Sequence, residues 1–193
     1  MPAIWEVIVT TVSPAGEVHI APMGIREEED GILLQPFRPS TTLENVLATG
    51  GAVVNYTDDV RVFAGCLTGR RGWPTLPVEA IAGRRLEVAL AHRELALARV
   101  EDDPVRPRLW CRSVAFTAHA PFRGFNRAQA AVLEAAILVS RLDMLPPEKV
   151  NAEVEYLAIA ISKTAGAAER EAWDWLTARI AAHRSADAGR PRR

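Results

Sequence analysis

The sequence predicts an α+β protein with a strand-rich first part and a helical second part. Two observations predict this fold class. Between residues 4 and 120, short apolar runs rich in β-branched residues alternate with turn clusters, which is typical of antiparallel strands. After Phe125, apolar residues recur with the helical period instead. The 193 residues, 49% of them hydrophobic, suffice for one domain with a core and an appendage.

The first part begins with two consecutive predicted hairpins. The first joins Ile4–Val12 to Glu17–Ile25 through a Ser-Pro-Ala-Gly turn, and an acidic turn at Glu27–Gly31 leads to Ile32–Pro36. Two hairpins in succession predict a meander or a small antiparallel barrel. Further strands are predicted at Ala52–Tyr56, Arg61–Phe63, Leu86–Val100 and Arg108–Ala120.

A short helix is predicted between these strands, at Ser40–Thr49. Its apolar residues share one face, Thr41 and Glu44 have the spacing of a capping box, and Gly50 ends it. Farther along, prolines and glycines between Gly65 and Gly83 predict a loop or lid.

The second part of the chain contains three predicted helices, the first of them capped by Asn126. They are Arg127–Leu142, Glu148–Lys163 and Ala168–His183. We therefore predict a barrel domain over residues 1–125, a helical appendage packed on the barrel over residues 126–184, and a flexible basic tail over residues 185–193.

The charge is unevenly distributed along the chain. Residues 1–60 contain nine acidic and two basic side chains, whereas residues 61–127 contain twelve basic and six acidic ones. A basic segment suits nucleic acid or a small anionic ligand. Because the stacking aromatic residues of nucleic-acid modules are absent, no nucleic-acid partner is predicted. No apolar run reaches the roughly 18 residues of a membrane span, and no charged leader begins the chain, so we expect a soluble cytoplasmic protein without a membrane partner.

Several familiar catalytic and metal motifs are missing. The sequence has no P-loop, no G-x-G-x-x-G turn, no H-E-x-x-H, no C-x-x-C and no G-x-S-x-G. The two cysteines cannot form a four-cysteine zinc site, and the four histidines lack metal-ligand spacing, so no metal is predicted.

The strongest candidate for a ligand site is Pro36–Asn45. It places Arg38 and the hydroxyls of Ser40, Thr41 and Thr42 at a helix start. The unpaired N–H groups and partial positive charge of a first helical turn suit a phosphate, to which hydroxyls and a guanidinium add donors. Capping by Ser40 or Thr41 alone explains these residues equally well, and the two roles can coexist.

Two other stretches are typical of a ligand site. Ala21, Pro22, Met23 and Gly24 interrupt a predicted strand, which leaves ladder groups free and lets a flat ligand approach the backbone; an edge strand or a bulge is the alternative. Farther on, Arg123 begins a segment with two arginines beside a helix start, which suits an anion, although a cap with solvated arginines explains it at least as well.

In combination, these stretches resemble DUF447, a family of small archaeal and bacterial proteins in the FMN-binding split-barrel group. That group is related in fold to flavin reductases and pyridoxamine phosphate oxidases. The resemblance extends in order through about residue 165. The matching residues are Thr10-Thr11, Ala21–Gly24, Pro36–Asn45, Val54–Asp59, Phe63, Phe125–Ala128, Glu134 and Ser140–Leu142.

The resemblance implies a six-stranded Greek-key split barrel with a helical appendage, and a homodimer with FMN near the subunit interface. It implies a phosphate on Arg38 and Ser40–Thr42 and a flavin ring along Ala21–Gly24 with Asn55 nearby. The matching residues Asn126 and Arg127 are also predicted to bind the cofactor. Relatives in organisms that use tetrahydromethanopterin imply a link to C1 metabolism.

The leading hypothesis for function is a flavin-dependent oxidoreductase of flavin-reductase type, in which the flavin performs the redox chemistry. FMN is favoured over the dinucleotide because no Rossmann-type glycine turn is present for a pyrophosphate. His19, as a proton donor, and Arg123, as an anion clamp, are the candidate catalytic residues. The alternatives are a non-catalytic flavin carrier or sensor and an interaction module that uses the helices.

Overall fold

The computed structural model describes residues 3–29 and 31–188. They form two compact units, a barrel unit of residues 1–58 and 72–122 and a helical unit of residues 59–71 and 123–193. The elements are β1 (Ile4–Val12), β2 (Val18–Glu28), β3 (Gly31–Leu34), α1 (Thr41–Thr49), β4 (Gly51–Tyr56), α2 (Val60–Leu67), β5 (Thr75–Pro77), β6 (Arg84–Leu86), β7 (Ala91–Glu101), β8 (Arg108–Ala118), α3 (Arg127–Val139), α4 (Pro147–Thr164) and α5 (Ala167–Ala188).

The barrel unit confirms the predicted fold class. Six antiparallel strands close in the order β1-β2-β3-β8-β7-β4, and β5 and β6 form a separate two-stranded sheet. Because side chains alternate across a strand, every second residue of these strands faces the barrel interior. The buried interior is aliphatic and includes Val7, Val9, Ile25, Leu34, Val54, Leu95 and Leu109.

The turn between β2 and β3 requires a glycine. Gly31 has a φ of 137°, and a Cβ atom there would lie 2.3 Å from the carbonyl oxygen of Cys111. Both the backbone conformation and the close approach of β8 therefore exclude a side chain at this position.

Within this closed barrel, only the short strand β3 connects β2 to β8, and we call the remaining unpaired stretch between β2 and β8 the split. Strand β3 has four residues and pairs with β2 only at Arg26–Glu28 and with β8 only at Leu109–Cys111. In the described part of the chain, residues 21–25 of β2 and 112–118 of β8 therefore have one paired edge each in the ladder. Their other edges leave backbone groups available to a ligand or to another chain.

The helical unit contains α2 to α5, whose core is built mainly of alanine, valine and leucine. The predicted strand at Arg61–Phe63 is wrong, because these residues lie in α2. Asp59 caps this helix by accepting from the Arg61 N–H at 3.1 Å, and Val60 and Ala64 bury one helical face. The cap and the buried face outweigh the β-propensity of Val62 and Phe63.

The other predicted elements differ from the structure mainly at their ends. The predicted strand at Leu86–Val100 is divided, since β6 ends at Leu86 and β7 begins at Ala91. Helix α5 extends to Ala188, and the predicted tail residues 189–193 lie outside the described residues. Among the described helices, none combines the length and the apolar character that a membrane span requires. The domain limits at residues 125 and 184 stay a prediction.

Candidate functional site

The start of α1 is built on a serine cap. Ser40 has an extended backbone, and its Oγ accepts from the Leu43 N–H at 3.3 Å. The predicted capping box of Thr41 and Glu44 is wrong, because Thr41 is already the first helical residue and Glu44 lies one position too far along. The Thr41 side chain is exposed, whereas Thr42 is buried. Of the three hydroxyl residues, Thr41 is thus the most accessible to a ligand.

Arg38 lies two residues before the cap and has an acidic partner. Its Nη2 donates to Asp102 Oδ1 at 2.7 Å, with 38% of the Arg38 side chain and 76% of the Asp102 side chain exposed. Its backbone N–H donates to the Val105 carbonyl. Such an exposed ion pair is weak, so a phosphate can compete for the guanidinium. Nearby, Arg106 lies over the Phe37 ring at 4.6 Å, a second cation that sequence reasoning missed because residues 37 and 106 meet only in the fold.

The predicted ring-binding segment lies in the middle of β2. The predicted interruption is wrong, since β2 pairs with β1 without a register shift from Val18 to Arg26. The alternative of an edge strand fits Ala21–Gly24, because this stretch pairs with β1 on one side and borders the split on the other. Ala21 and Met23 pair with core residues of β1 and face the barrel interior, and Pro22 and Gly24 face the opposite side. The backbone edge of all four residues can thus be approached by a flat ligand.

Asn55 is fully buried and bonded to the protein. Its Oδ1 accepts from the Leu86 N–H at 2.7 Å, and its Nδ2 lies 3.1–3.2 Å from the oxygens of Ile8, Thr10 and Val53. The side chain therefore joins β1, β4 and β6. Its predicted proximity to the flavin stays a prediction, and its structural role is one that sequence reasoning missed.

Thr10, Thr11 and Asn45, all buried, extend this network. Asn45 Nδ2 donates to Thr11 Oγ1 at 3.0 Å, which fixes α1 against β1. Thr10 Oγ1 donates to the carbonyl of Arg84 at the start of β6. Residues that define the family resemblance thus position the helix start and a neighbouring hairpin through buried hydrogen bonds.

Glu94 holds the segment that the sequence predicts as a loop or lid. Its buried carboxylate accepts from three consecutive N–H groups, those of Glu79 at 3.3 Å, Ala80 at 2.7 Å and Ile81 at 3.0 Å. Together with the bonds of Thr10 and Asn55 to β6, these contacts fix residues 79–86 to the barrel. The predicted loop is therefore wrong at its start, where Gly65–Leu67 belong to α2, and its end is held to the barrel next to the β5–β6 hairpin.

His92 and His119 form a pair that the sequence could not indicate. His92 Nδ1 lies 2.8 Å from His119 Nε2, and the buried His92 Nε2 lies 3.6 Å from Glu94, too far for a hydrogen bond. Burial lowers the pKa of His92, and burial with the charge of Arg85 lowers that of His119. Antiparallel pairing of β7 with β8 brings these residues together. In the described ranges, no group of three or more metal-ligating side chains is arranged around a metal position.

The remaining predicted site residues lie on different elements. His19 is half-buried on β2, opposite Thr11. Arg123, Asn126 and Arg127 belong to the helical unit. Asn126 caps α3, as predicted, by accepting from the Ala128 N–H at 2.8 Å, and Arg127 is exposed. The roles of these four residues toward a cofactor stay predictions.

Two family descriptions match nearly the whole chain. One, "Protein of unknown function (DUF447) N-terminal domain", matches residues 5–120, and the other, "Protein of unknown function (DUF447)", matches residues 126–178. No curated protein matches the sequence.

Three solved structures that resemble this chain are an FMN-bound protein, a nitroreductase and a flavoredoxin. FMN-bound protein MM1853 from Methanosarcina mazei superposes with a TM-score of 0.78 at 20% identity, covering 93% of this chain and 96% of its own. The Pseudomonas fluorescens 2-nitrobenzoate 2-nitroreductase NbaA has a TM-score of 0.53 at 20% identity, with 62% and 66% covered. Flavoredoxin from Methanosarcina acetivorans also has a TM-score of 0.53, at 13% identity, with 62% and 69% covered. At these identities, the similarity establishes the split-barrel fold.

Proposed function

Since this chain belongs to the DUF447 family, we propose that it is an FMN-binding flavoprotein that acts as a flavin-dependent oxidoreductase of flavin-reductase type. The observation that carries the proposal is the start of α1, where the exposed Thr41 and the weakly paired Arg38 flank a helix N-terminus. The FMN-bound protein of similar fold supports the choice of cofactor. We also propose that the protein is cytoplasmic and that it takes part in tetrahydromethanopterin-dependent C1 metabolism.

The residues at the start of α1 fit a terminal phosphate. The first turn of a helix has N–H groups without intrahelical partners, and the helix dipole favours an anion there. Thr41 adds an accessible hydroxyl and Arg38 a guanidinium, while Ser40 and Thr42 contribute through their backbone because one is the cap and the other is buried. We therefore propose that all four residues bind the phosphate, two through their side chains and two through their backbone.

The β2 segment Ala21–Gly24 fits the flavin ring. Its free edge offers backbone groups of the kind that bind the polar edge of a planar ring, and Gly24 adds no side chain. Asn55 of β4 donates to the Ile8 carbonyl of β1, the strand that pairs with β2, and so helps to position β2. We propose Asn126 and Arg127 as further cofactor-binding residues because they match the family motif.

The bound flavin supplies the hydride or electron transfer, and this chain binds and orients it. Arg38 and the start of α1 hold its phosphate, and the β2 edge orients its ring. His19, on the same strand as the ring-binding segment, is the proposed proton donor, and Arg123 is the proposed anion clamp.

We also propose a homodimer in which the second copy completes the flavin site. Large apolar side chains are exposed on the barrel unit, with Ile4 and Trp5 at the start of β1 each more than half exposed. Exposed apolar side chains of this size are typical of an interface, and two-fold dimers are the commonest assembly. Sedimentation of the flavin-loaded protein is expected to give about twice the 21.1 kDa chain mass. A monomer that holds flavin stoichiometrically would contradict the shared site.

The cofactor is tested by the absorption spectrum of the purified protein and the mass of the released ligand, with FMN as the expected result. Thr41→Ala is expected to lower FMN affinity about tenfold or more, because a lost bond to a charged group costs about 1.5–3 kcal/mol. Ser40→Ala is the matched control, which mainly removes a cap worth about 1 kcal/mol of stability. A flavin with adenine, no flavin after reconstitution, or equal affinity in Thr41→Ala and wild type would contradict the proposal.

A further inference from the structure

Four side chains from four strands meet on the inward face of the barrel at the split, and we call them the mouth cluster. They are Glu27 of β2, Tyr56 of β4, Arg93 of β7 and Phe116 of β8. The Arg93 Cζ lies 5.5 Å from the centre of the Phe116 ring, and the Tyr56 ring packs edge-on against the same ring at 6.4 Å. Arg93 Nη2 lies 3.5 Å from Glu27 Oε1.

One edge of the Arg93 guanidinium is nearly unused. Its Nε is buried and, within the described part of the chain, has no hydrogen-bond partner. Its Nη2 reaches Glu27 only at 3.5 Å, well beyond the 2.7–2.9 Å of a charge-assisted hydrogen bond. The N–H groups of Nε and Nη2 point in the same direction and form the fork that binds both oxygens of a carboxylate. Within the mouth cluster, the Nε–Nη2 edge of Arg93 therefore lacks a carboxylate at normal hydrogen-bond distance.

A second donor lies beside this fork. The Tyr56 hydroxyl is buried and lies close to the Glu27 carboxylate, but among the described residues no acceptor is within normal hydrogen-bond geometry. Burial raises the pKa of Tyr56, the charge of Arg93 lowers it, and the charge and hydrogen bonding of Glu27 raise it, so the hydroxyl keeps its proton at neutral pH. Buried donors without well-placed acceptors are costly, and Glu27 serves both of these donors poorly, so an acceptor from outside the chain can compete for them.

The mouth cluster is accessible from solvent and is linked to the proposed ring-binding segment. Phe116 is 56% exposed and the Glu27 side chain 48% exposed, so Glu27 can move aside. Arg93 pairs with Val54, Val54 with Val9, and Val9 with Ala21, which places Arg93 and Ala21 in one inward-facing row of the barrel.

We propose that the mouth cluster is a substrate subsite that binds the carboxylate of a small organic acid. The Nε–Nη2 fork of Arg93 takes the two carboxylate oxygens, the Tyr56 hydroxyl donates to one of them, and Phe116 contacts the apolar body. Glu27 is the internal competitor that the carboxylate displaces from Arg93. This inference rests on the proposed function in that it names the substrate class of the flavin site.

The test is calorimetric titration of benzoate, with neutral benzamide as the matched ligand, into the FMN-free and the FMN-loaded protein. Arg93→Met is expected to weaken benzoate binding about tenfold or more, and Arg93→Lys also weakens it because the fork is lost. Tyr56→Phe is expected to weaken it several-fold. Glu27→Gln is expected to strengthen it, since the competing carboxylate is removed.

Arg99→Met is the control variant. Arg99 lies over Trp110 at 5.0 Å and pairs with Glu101, a similar arrangement on the same two strands, but its side chain is 57% exposed. This change should leave benzoate affinity unaltered. Thermal melts check that each variant folds; if Arg93→Met does not fold, Arg93→Lys and Tyr56→Phe decide.

Wild-type affinity in the Arg93 variants, weaker binding in Glu27→Gln, benzamide bound as tightly as benzoate, or no benzoate binding by either form of the wild type would each overturn the inference. If FMN binds normally while benzoate does not, only the inference fails. If benzoate binds with the expected pattern of variants while FMN does not bind, the carboxylate subsite is supported and the flavoprotein proposal fails.

Discussion

Both units have an apolar core, but the barrel unit buries more polar side chains than the helical unit does. Among the described residues, the buried polar and charged ones of the barrel unit are Thr10, Thr11, Thr42, Asn45, Asn55, His92 and Glu94. The helical unit, in its described part, buries Glu169 as its one charged side chain, and its other buried residues are apolar. Because a buried polar group stabilises a fold only when it is hydrogen-bonded, the barrel unit depends on the geometry of its polar partners in addition to its aliphatic core, whereas the helical unit depends mainly on the volume of its side chains.

This difference is useful for a binding protein. The hydrogen bonds of Asn45, Asn55 and Glu94 fix α1 and residues 79–86 to the barrel strands, and α1 begins at the proposed phosphate site. Directional bonds hold such segments in one position, whereas apolar packing tolerates substitutions that keep the volume. We therefore expect volume-conserving substitutions of buried polar residues in the barrel unit to destabilise the protein more than volume-conserving substitutions of buried residues in the helical unit.

The largest expected effect is a loss of volume in the helical unit. Leu176→Ala removes a fully buried side chain of α5 and should lower the free energy of unfolding by about 2–5 kcal/mol. Leu176→Met keeps the volume and should cost less than about 1.5 kcal/mol. Urea unfolding followed by circular dichroism measures both values. Equal losses in the two variants would mean that volume does not determine the stability of this unit.

The next effect is the loss of a polar hub in the barrel unit. Asn55→Ala leaves the Leu86 N–H without an acceptor, so we expect a loss of about 2–3 kcal/mol and faster hydrogen exchange at the Leu86 amide. The similarly sized Asn55→Leu should be at least as damaging, in contrast to Leu176→Met. A mild effect of Asn55→Leu would remove the distinction between the two units.

Much of the fold could be predicted because its signals are local. Strand β1, helix α1 and the three C-terminal helices follow from apolar periods and caps that lie within each segment. Helix α2 could not be predicted, because its buried face is defined by helices that follow more than 50 residues later in the chain. Its few β-branched and aromatic residues therefore indicated a strand.

The candidate site was predictable only in part. Ser40 at the helix start and the Asn126 cap follow from residue type and position. In contrast, the His92–His119 pair and the Arg93 fork depend on strand register, which brings residues from distant parts of the chain together. Sequence spacing contains no signal for either arrangement.

A smaller effect is expected from pH, again in the barrel unit. Burial lowers the pKa of His92 and of His119, so the unfolded chain binds protons at a higher pH than the folded one. Stability is therefore fully present above the ordinary histidine pKa of about 6.5 and falls as the pH drops below it. Melting temperatures between pH 7.5 and 5.5 measure this dependence. The double variant His92→Gln/His119→Gln should reduce the slope, and an unchanged slope would assign it to other groups.

The smallest effect tests the one buried charged group of the helical unit among the described residues. Glu169 Oε2 accepts from the Gly166 N–H at 2.9 Å and Oε1 from Gln129 at 3.2 Å, which is half of a capping box at the start of α5. Glu169→Ala is expected to cost about 1 kcal/mol in chemical denaturation. A loss above that of Asn55→Ala would mean that the helical unit also depends on a polar hub.

Helix α2 belongs to the helical unit although residues of the barrel unit precede and follow it in the chain. During synthesis on a ribosome, Val60 and Ala64 leave the exit tunnel well before α3 and α5, the helices that cover them. The apolar face of α2 therefore stays uncovered until α3 and α5 have been translated. A fragment that ends after the last barrel strand would keep this uncovered helix and should aggregate, so the barrel cannot be isolated by simple truncation.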